Sequence, residues 1–230
     1  GDYGYVGQIM AAHRQRREPD AVQRTHAVEH RLQHFHFQLD PRRGAVRRKG
    51  FDRATREPRV LKVVELNAPQ DHHERLRREA KVLKTLKHPN LIEVKETCPL
   101  PDGKLGIIEE YFEGKTLKAI LANDRPSQEV LLRIIRALVD GLHELHNKDI
   151  VHRDIKPSNV MIDDEARKIR IIDLGLAKDL TDDSDDLTTA GERLGTKSYA
   201  APEQWDPKKG KTTIRSDIYS LGLVICEMFS

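Results

Sequence analysis

The 230-residue chain has only two cysteines, Cys98 and Cys226, far apart in sequence. That excludes a disulfide-stapled scaffold and points to a reducing compartment, the cytoplasm in the simplest case. Aromatic residues are scarce at 5%, and no aromatic-basic interleaving, zinc-finger spacing or RNA-binding aromatic motif is present. Long apolar runs are missing too. The stretch Leu221 to Ile225 falls far short of the roughly 20 residues a membrane-spanning helix needs. Residue 1 is Gly, and no basic stretch followed by an apolar core and a small-residue cleavage site opens the chain, so its start reads as a cut and not as a targeting signal. What remains, 37% hydrophobic and 33% charged, is ordinary for a soluble globular protein of one large domain or two small lobes.

The net charge of +3 conceals an asymmetry. Residues 1–59 carry 13 Lys/Arg against 7 Asp/Glu, whereas residues 60–230 carry 27 against 30. A basic arm attracts nucleic acid or anionic lipid. Without any motif to read a base, no nucleic-acid partner is expected.

Residues 1–30 are polar, rich in Arg and His and weakly periodic, and read as a linker or an upstream remnant. His26, His30 and His34 recur every four residues, which on a helix would stack three imidazoles on one face. No carboxylate or Cys completes a ligand set, so a solvated polar face is the reading. Phe35, Phe37 and Leu39 alternate with polar residues, and Val60 to Val64 is a β-branched run; both predict strands. Leu76, Glu79, Leu83 and Leu86 share one face of a helix predicted over Asp71 to Lys87, ended by His88-Pro89-Asn90. Strands are predicted at Leu91 to Lys95 and Leu105 to Glu110, with a turn region at Pro99 to Gly103 between them. After Gly114 the texture becomes helical. A long helix is predicted over Ser127 to Asn147 with Ser127 as N-cap and Leu131, Ile134, Ile135, Leu138, Leu142 and Leu145 inward. A hairpin follows, Asn159 to Ile162 and Lys168 to Ile172 about the Asp163-Asp164-Glu165 turn, then a long acidic loop and a helix from Ser216. A small mostly-β part thus precedes a mostly-α part, with the boundary near Phe112 to Thr116.

Chemistry concentrates between the long helix and the hairpin, in His152-Arg153-Asp154-Ile155-Lys156-Pro157-Ser158-Asn159. An aspartate can accept a proton, a lysine two residues on can offset negative charge, and an asparagine oxygen is a hard donor. Asp173-Leu174-Gly175 lies fourteen residues after Asn159. Lys62 interrupts an apolar strand and Glu79 an apolar helix stripe, so each calls for an opposite charge.

These residues resemble the protein kinase family, in its serine/threonine form because of Lys156, over about residues 31–230. The resemblance implies an α+β, two-lobed fold: a small antiparallel-sheet lobe with one helix over about 31–111, a hinge at about 110–116, and a mostly helical lobe over about 117–230, with ATP and Mg²⁺ between the lobes. It implies Asp154 as base or orienter, with Lys156 and Thr196 beside it, and Asn159 and Asp173 as Mg²⁺ ligands. Lys62, paired with Glu79, would hold the α- and β-phosphates, and the carbonyl of Glu110 and amide of Phe112 would read adenine, with Glu109 as gatekeeper. Gly195-Thr196 to Ala201-Pro202-Glu203 resembles the loop that receives a protein substrate's serine or threonine, Thr188 and Thr189 are candidate phosphorylation sites served by Arg153, and Asp217 would brace the catalytic loop.

Two departures qualify the match. The family's phosphate-covering glycine loop corresponds here to Leu39-Asp40-Pro41-Arg42-Arg43-Gly44-Ala45-Val46, which retains only Gly44 and Val46. A proline there removes an N–H donor. Either nucleotide binding is weakened, as in a pseudokinase that signals by conformation, or basic side chains such as Arg42 and Arg43 compensate. The resemblance also stops inside a helix at Ser230, which implies an incomplete second lobe with apolar surface exposed near Leu221 to Phe229. A small-molecule phosphotransferase is disfavoured by the peptide-docking look of the Gly195 to Glu203 segment.

Overall fold

A computed structural model of the chain describes residues 35–37, 47–64, 80–100, 104–123, 125–174 and 198–230. They form two compact units, residues 1–85 with 93–111 and residues 86–92 with 112–230. The N-terminal arm with its three spaced histidines, the window Leu39 to Val46, most of the helix predicted from Asp71 and the acidic loop with Thr188 and Thr189 lie outside the described residues.

The first unit is a five-stranded sheet in the order β1-β2-β3-β5-β4, every pair antiparallel. Its strands are β1 (Phe35–Phe37), β2 (Arg47–Asp52), β3 (Pro58–Val64), β4 (Val94–Pro99) and β5 (Leu105–Glu110). β3 is central and its last four residues are all buried. β-Branched and aliphatic side chains suit a strand that packs on both faces. The helical residues 80–85 bury Ala80 and Leu83, and Lys84 Nζ reaches Glu96 on β4 at 3.0 Å. The helix stops at Thr85, two residues before the expected end.

β4 is a correction. Leu91 was expected to start a strand ending at Lys95, yet regular pairing begins at Val94, and Leu91 makes only an isolated parallel bridge to Ile171. The reason is that residues 86–92 belong to the second unit. Ile92 donates its N–H to Ile171 O at 2.9 Å, Ile171 donates to Asn90 O at 2.8 Å, and Asn90 Nδ2 reaches Ile169 O at 3.2 Å.

In the second unit, strand β6 (Lys115–Thr116) leads into helix α1 (Leu117–Asn123). The sequence reading anticipated neither. Thr116 Oγ1 accepts the N–H of Ala119 at 3.2 Å. Helix α2 (Gln128–His146) has Ser127 as N-cap, as the sequence pattern predicts, its hydroxyl accepting from Val130, and ends on Asn147 as C-cap. Its buried stripe is Leu131, Ile134, Ala137, Leu138, Gly141, Leu142 and Leu145, with Ile135 only half-buried. A Cβ at Gly141 would stand 2.9 Å from the Ile171 side chain and 3.3 Å from Asn90 O, so glycine lets the helix sit close to the hairpin. That hairpin is β7 (Val160–Ile162) with β8 (Ile169–Ile171), antiparallel, and β6 pairs onto β7. Gly114 admits this third strand, since a Cβ there would lie 2.2 Å from Ile162 O.

Helix α3 (Ile214–Phe229) starts two residues before Ser216, because Thr213 is its N-cap and Ser216 Oγ answers by accepting the N–H of Thr213 at 3.0 Å. Leu221, Val224 and Met228 are buried, while Ile218, Tyr219 and Phe229 are exposed, as is Trp205 before the helix.

Candidate active site

The loop between α2 and β7 has almost no ladder to satisfy its backbone, so its N–H groups must find side chains. Asp217, in the first turn of α3 and 1% exposed, supplies most of the answer. Its Oδ2 accepts the N–H of His152 and its Oδ1 the N–H of Arg153, both at 2.8 Å. Oδ2 also lies 2.8 Å from His146 Nε2, at the end of α2. A carboxylate in a helix's first turn is favoured by the helix dipole as well.

His152 is fully buried. Its Nε2 lies 3.1 Å from Ile172 O and its Nδ1 accepts the N–H of Asp154 at 3.3 Å. A neutral ring protonated on Nε2 satisfies both contacts. Burial drives its pKa below the ordinary value, outweighing the opposing pull of Asp217 and Asp154. His152 is therefore a fixed strut and not a proton carrier.

Arg153 and Asp173 both have left-handed backbones, with φ of 65° and 64°. Such conformations cost a non-glycine residue about 1–3 kcal/mol and persist only where surroundings impose them. At Arg153 the N–H is held by Asp217, and the carbonyl accepts from Gln204 Nε2 at 2.7 Å.

Asp154 then projects a carboxylate whose Oδ2 accepts from Asn159 Nδ2 at 2.9 Å and lies 3.0 Å from Lys156 Nζ. The Asn159 amide also donates to Asp154 O at 2.8 Å. With both amide hydrogens turned to Asp154, the oxygen of this buried side chain is its remaining polar end. Ile172 donates its N–H to Asn159 O at 2.9 Å, which sets the start of the Asp173 segment against the loop. Asp154, Lys156 and Asn159 are thus brought together, with Asp173 following the strand end tied to Asn159.

Asn159 and Asp173 offer hard oxygen donors. Two such donors match the chemistry of Mg²⁺, which takes one or two carboxylates from a protein and completes its shell with water and substrate phosphates.

The segment around Tyr199 to Gln204 is anchored to α3. Ser216 Oγ donates to Glu203 at 2.5 Å and holds that carboxyl below the usual range. Tyr199 donates its hydroxyl to Glu227, and burial together with that carboxylate raises its pKa.

In the first unit, Lys62 is 4% exposed in the middle of β3, in register with Arg47 and Ile107. Glu109, 3% exposed, sits in β5 opposite Val60 and Val94, and Glu110 ends that strand with its N–H on Glu93 O at 2.9 Å. In the second unit, the guanidinium of Arg170 lies over the Phe112 ring, 5.6 Å from its centroid. Gly44, Val46, Glu79 and Thr196 fall outside the described residues. Sequence reasoning missed His146, Gln204 and the hydroxyl of Ser216.

A protein-family description for the protein kinase domain matches residues 42–230. The chain belongs to the protein kinase domain family. It is 35% identical over 179 residues to the serine/threonine-protein kinase pkn3 of Myxococcus xanthus, covering 74% of this chain and 32% of that protein. It is 36% identical over 161 residues to PknB of Mycolicibacterium smegmatis (68% and 25%) and 35% identical over 174 residues to PrkC of Bacillus subtilis (74% and 26%). The chain therefore spans about a quarter to a third of the length of these curated relatives. Among solved structures it resembles Rad53 in complex with AMP-PNP, with a TM-score of 0.66, 22% identity, and coverage of 86% of this chain and 48% of that one. That likeness supports the kinase-type α+β fold. Within this kinase domain no helix among the described residues is long and apolar enough to cross a membrane.

Proposed function

We propose that this kinase domain transfers the γ-phosphoryl group of ATP to a serine or threonine hydroxyl of a protein, in the cytoplasm. The observation that carries the reading is the carboxylate of Asp154, held by Asn159 and Lys156 on a loop that Asp217 braces. Asp154 orients the acceptor hydroxyl and takes its proton as the hydroxyl oxygen bonds to the γ-phosphorus and the bond to the β-bridging oxygen breaks, releasing ADP. Lys156 offsets negative charge on the moving group, and Thr196 positions the acceptor beside it. Lys62, with Glu79 as its partner, holds the α- and β-phosphates. Asn159 and Asp173 hold Mg²⁺, which when bound neutralises phosphate charge. The carbonyl of Glu110 and the amide of Phe112 take the adenine edge, and Gly44 and Val46 cover the nucleotide. Rate enhancement on this scheme comes from positioning and charge stabilisation.

The test is transfer from labelled ATP with Mg²⁺, to the protein itself and to a generic basic protein, in the full-length protein and its Asp154→Asn variant. A positioned general base contributes about 10²- to 10⁴-fold, so a loss of that size is expected. A folded wild type with no transfer would instead leave a pseudokinase-type binding or signalling module with weakened nucleotide binding.

A further inference from the structure

Gln204 is tied at both ends of its side chain. Its Oε1 accepts the N–H of Ala201 at 2.9 Å, and its Nε2 donates to the carbonyl of Arg153 at 2.7 Å. The chemistry of these neighbours fixes the amide's orientation, because an N–H needs an oxygen and a carbonyl needs an N–H. Gln204 ends the short 3₁₀ turn Pro202–Gln204, whose own N–H returns to Ala201 O at 2.9 Å. The link to Arg153 spans 51 residues and joins the segment 201–204 to the residue just before Asp154.

We infer that Gln204 is a positioning residue for phosphoryl transfer, clamping the Arg153 carbonyl so that the peptide leading into Asp154 keeps its left-handed turn. Asp217 holds only the amide side of Arg153. A residue at φ 65° relaxes toward negative φ unless its flanking peptides are both restrained. Gln204 restrains the second one at its carbonyl, whereas His152 Nδ1 meets only its N–H, at 3.3 Å. The clamp also makes the geometry of Asp154 depend on the segment 201–204 being in place, since the same amide bridges both. The role rests on the kinase reading given above.

The experiment compares wild type with Gln204→Glu and Gln204→Met in the full-length protein, following kcat, KM for ATP, pH dependence and amide hydrogen exchange over residues 152–156. Gln204→Glu keeps the oxygen facing Ala201 but turns a second oxygen to the Arg153 carbonyl. At pH 8 its kcat should fall about tenfold, the scale of one lost orienting contact, with KM for ATP within twofold. Protonating that carboxyl restores a donor, so the ratio of variant to wild-type kcat should climb as the pH falls from 8 toward the ordinary carboxylate range. A purely structural loss would not recover in this way. Gln204→Met should be slowed at every pH, and both variants should exchange faster at residues 153–155 at pH 8. If a transferring wild type is matched within twofold by both variants, or exchange is unchanged, the clamp is not functional and the kinase reading stands. If the wild type itself transfers nothing, the kinase reading falls and this role falls with it.

Discussion

Lys62 and Asp154 are held in opposite ways. Lys62 sits in a central strand, where neighbours on both sides fix the backbone and the side chain is carried wherever the ladder puts it. Asp154 sits in a loop whose conformation is dictated by side chains from distant positions: Asp217 on two amides, His152 between Asp154 and Ile172, Asn159 on the Asp154 carboxylate, and Gln204 on a carbonyl. A ladder tolerates side-chain change because the backbone pairs with backbone. A loop of this kind does not, since each polar partner removed leaves a buried donor or acceptor unmet, at about 1–3 kcal/mol.

Lys62→Met is the sharpest way to break this contrast. It removes a buried charge from an apolar strand while leaving the ladder intact. Transfer should fall by about 10²- to 10³-fold, the scale of losing one preorganised charge contact. The urea midpoint should move less than in Asp217→Ala, because the backbone ladder of β3 stays paired. A large drop in stability would mean that the lysine, and not the ladder, organises β3.

Asp217→Ala should do the reverse and strike both properties. Two buried amides, those of His152 and Arg153, lose their acceptor together, for a cost of about 3 kcal/mol by urea unfolding. Transfer should fall at least tenfold, because Asp154 follows directly. Retained activity at saturating ATP would show that the loop keeps its shape without the brace.

Legibility followed the same division. Helix α2 was readable end to end because Ser127 and the apolar spacing are local signals. β3 and the β7–β8 hairpin were readable for the same reason. Helix α1 escaped because it is seven residues long and its cap, Thr116, looks unremarkable after Gly114 and Lys115. β4 was misplaced by three residues because nothing local to Leu91 says that its partner is Ile171. Within the candidate site, the motif resemblance singled out Asp154, Lys156 and Asn159, whose side chains the fold brings together. Gln204 left no trace, since a contact across 51 residues has no period and its one clue is geometric.

The buried ring of His152 extends the contrast to pH. Its folded pKa is depressed by burial, whereas in the unfolded chain it returns to about 6.5. Below that value the unfolded chain binds a proton that the folded loop refuses, so stability is full above about pH 6.5. It should decline as the pH falls toward the lower folded pKa, by up to about 1.4 kcal/mol per pH unit. Urea midpoints at pH 7.5 and 5.5 measure the slope. His152→Gln, which has no proton to take up, should flatten it, and an unchanged slope would assign the acid sensitivity to other groups.

The smallest effect is expected where only local structure is at stake. Ser127 caps α2 through a long contact, Oγ to Val130 N–H at 3.4 Å, and lies outside the loop that carries Asp154. Ser127→Ala should cost about 0.5 kcal/mol, the low end for a lost N-cap, and leave kcat and KM for ATP as in the wild type. The backbone of α2 keeps its own hydrogen bonds, so a frayed first turn has no route to Asp154 except through the far end of the helix, where His146 meets Asp217. A fall in kcat beyond twofold would show that strain does travel the length of α2 to that contact, and the separation between ladder-held and side-chain-held structure would then be too clean.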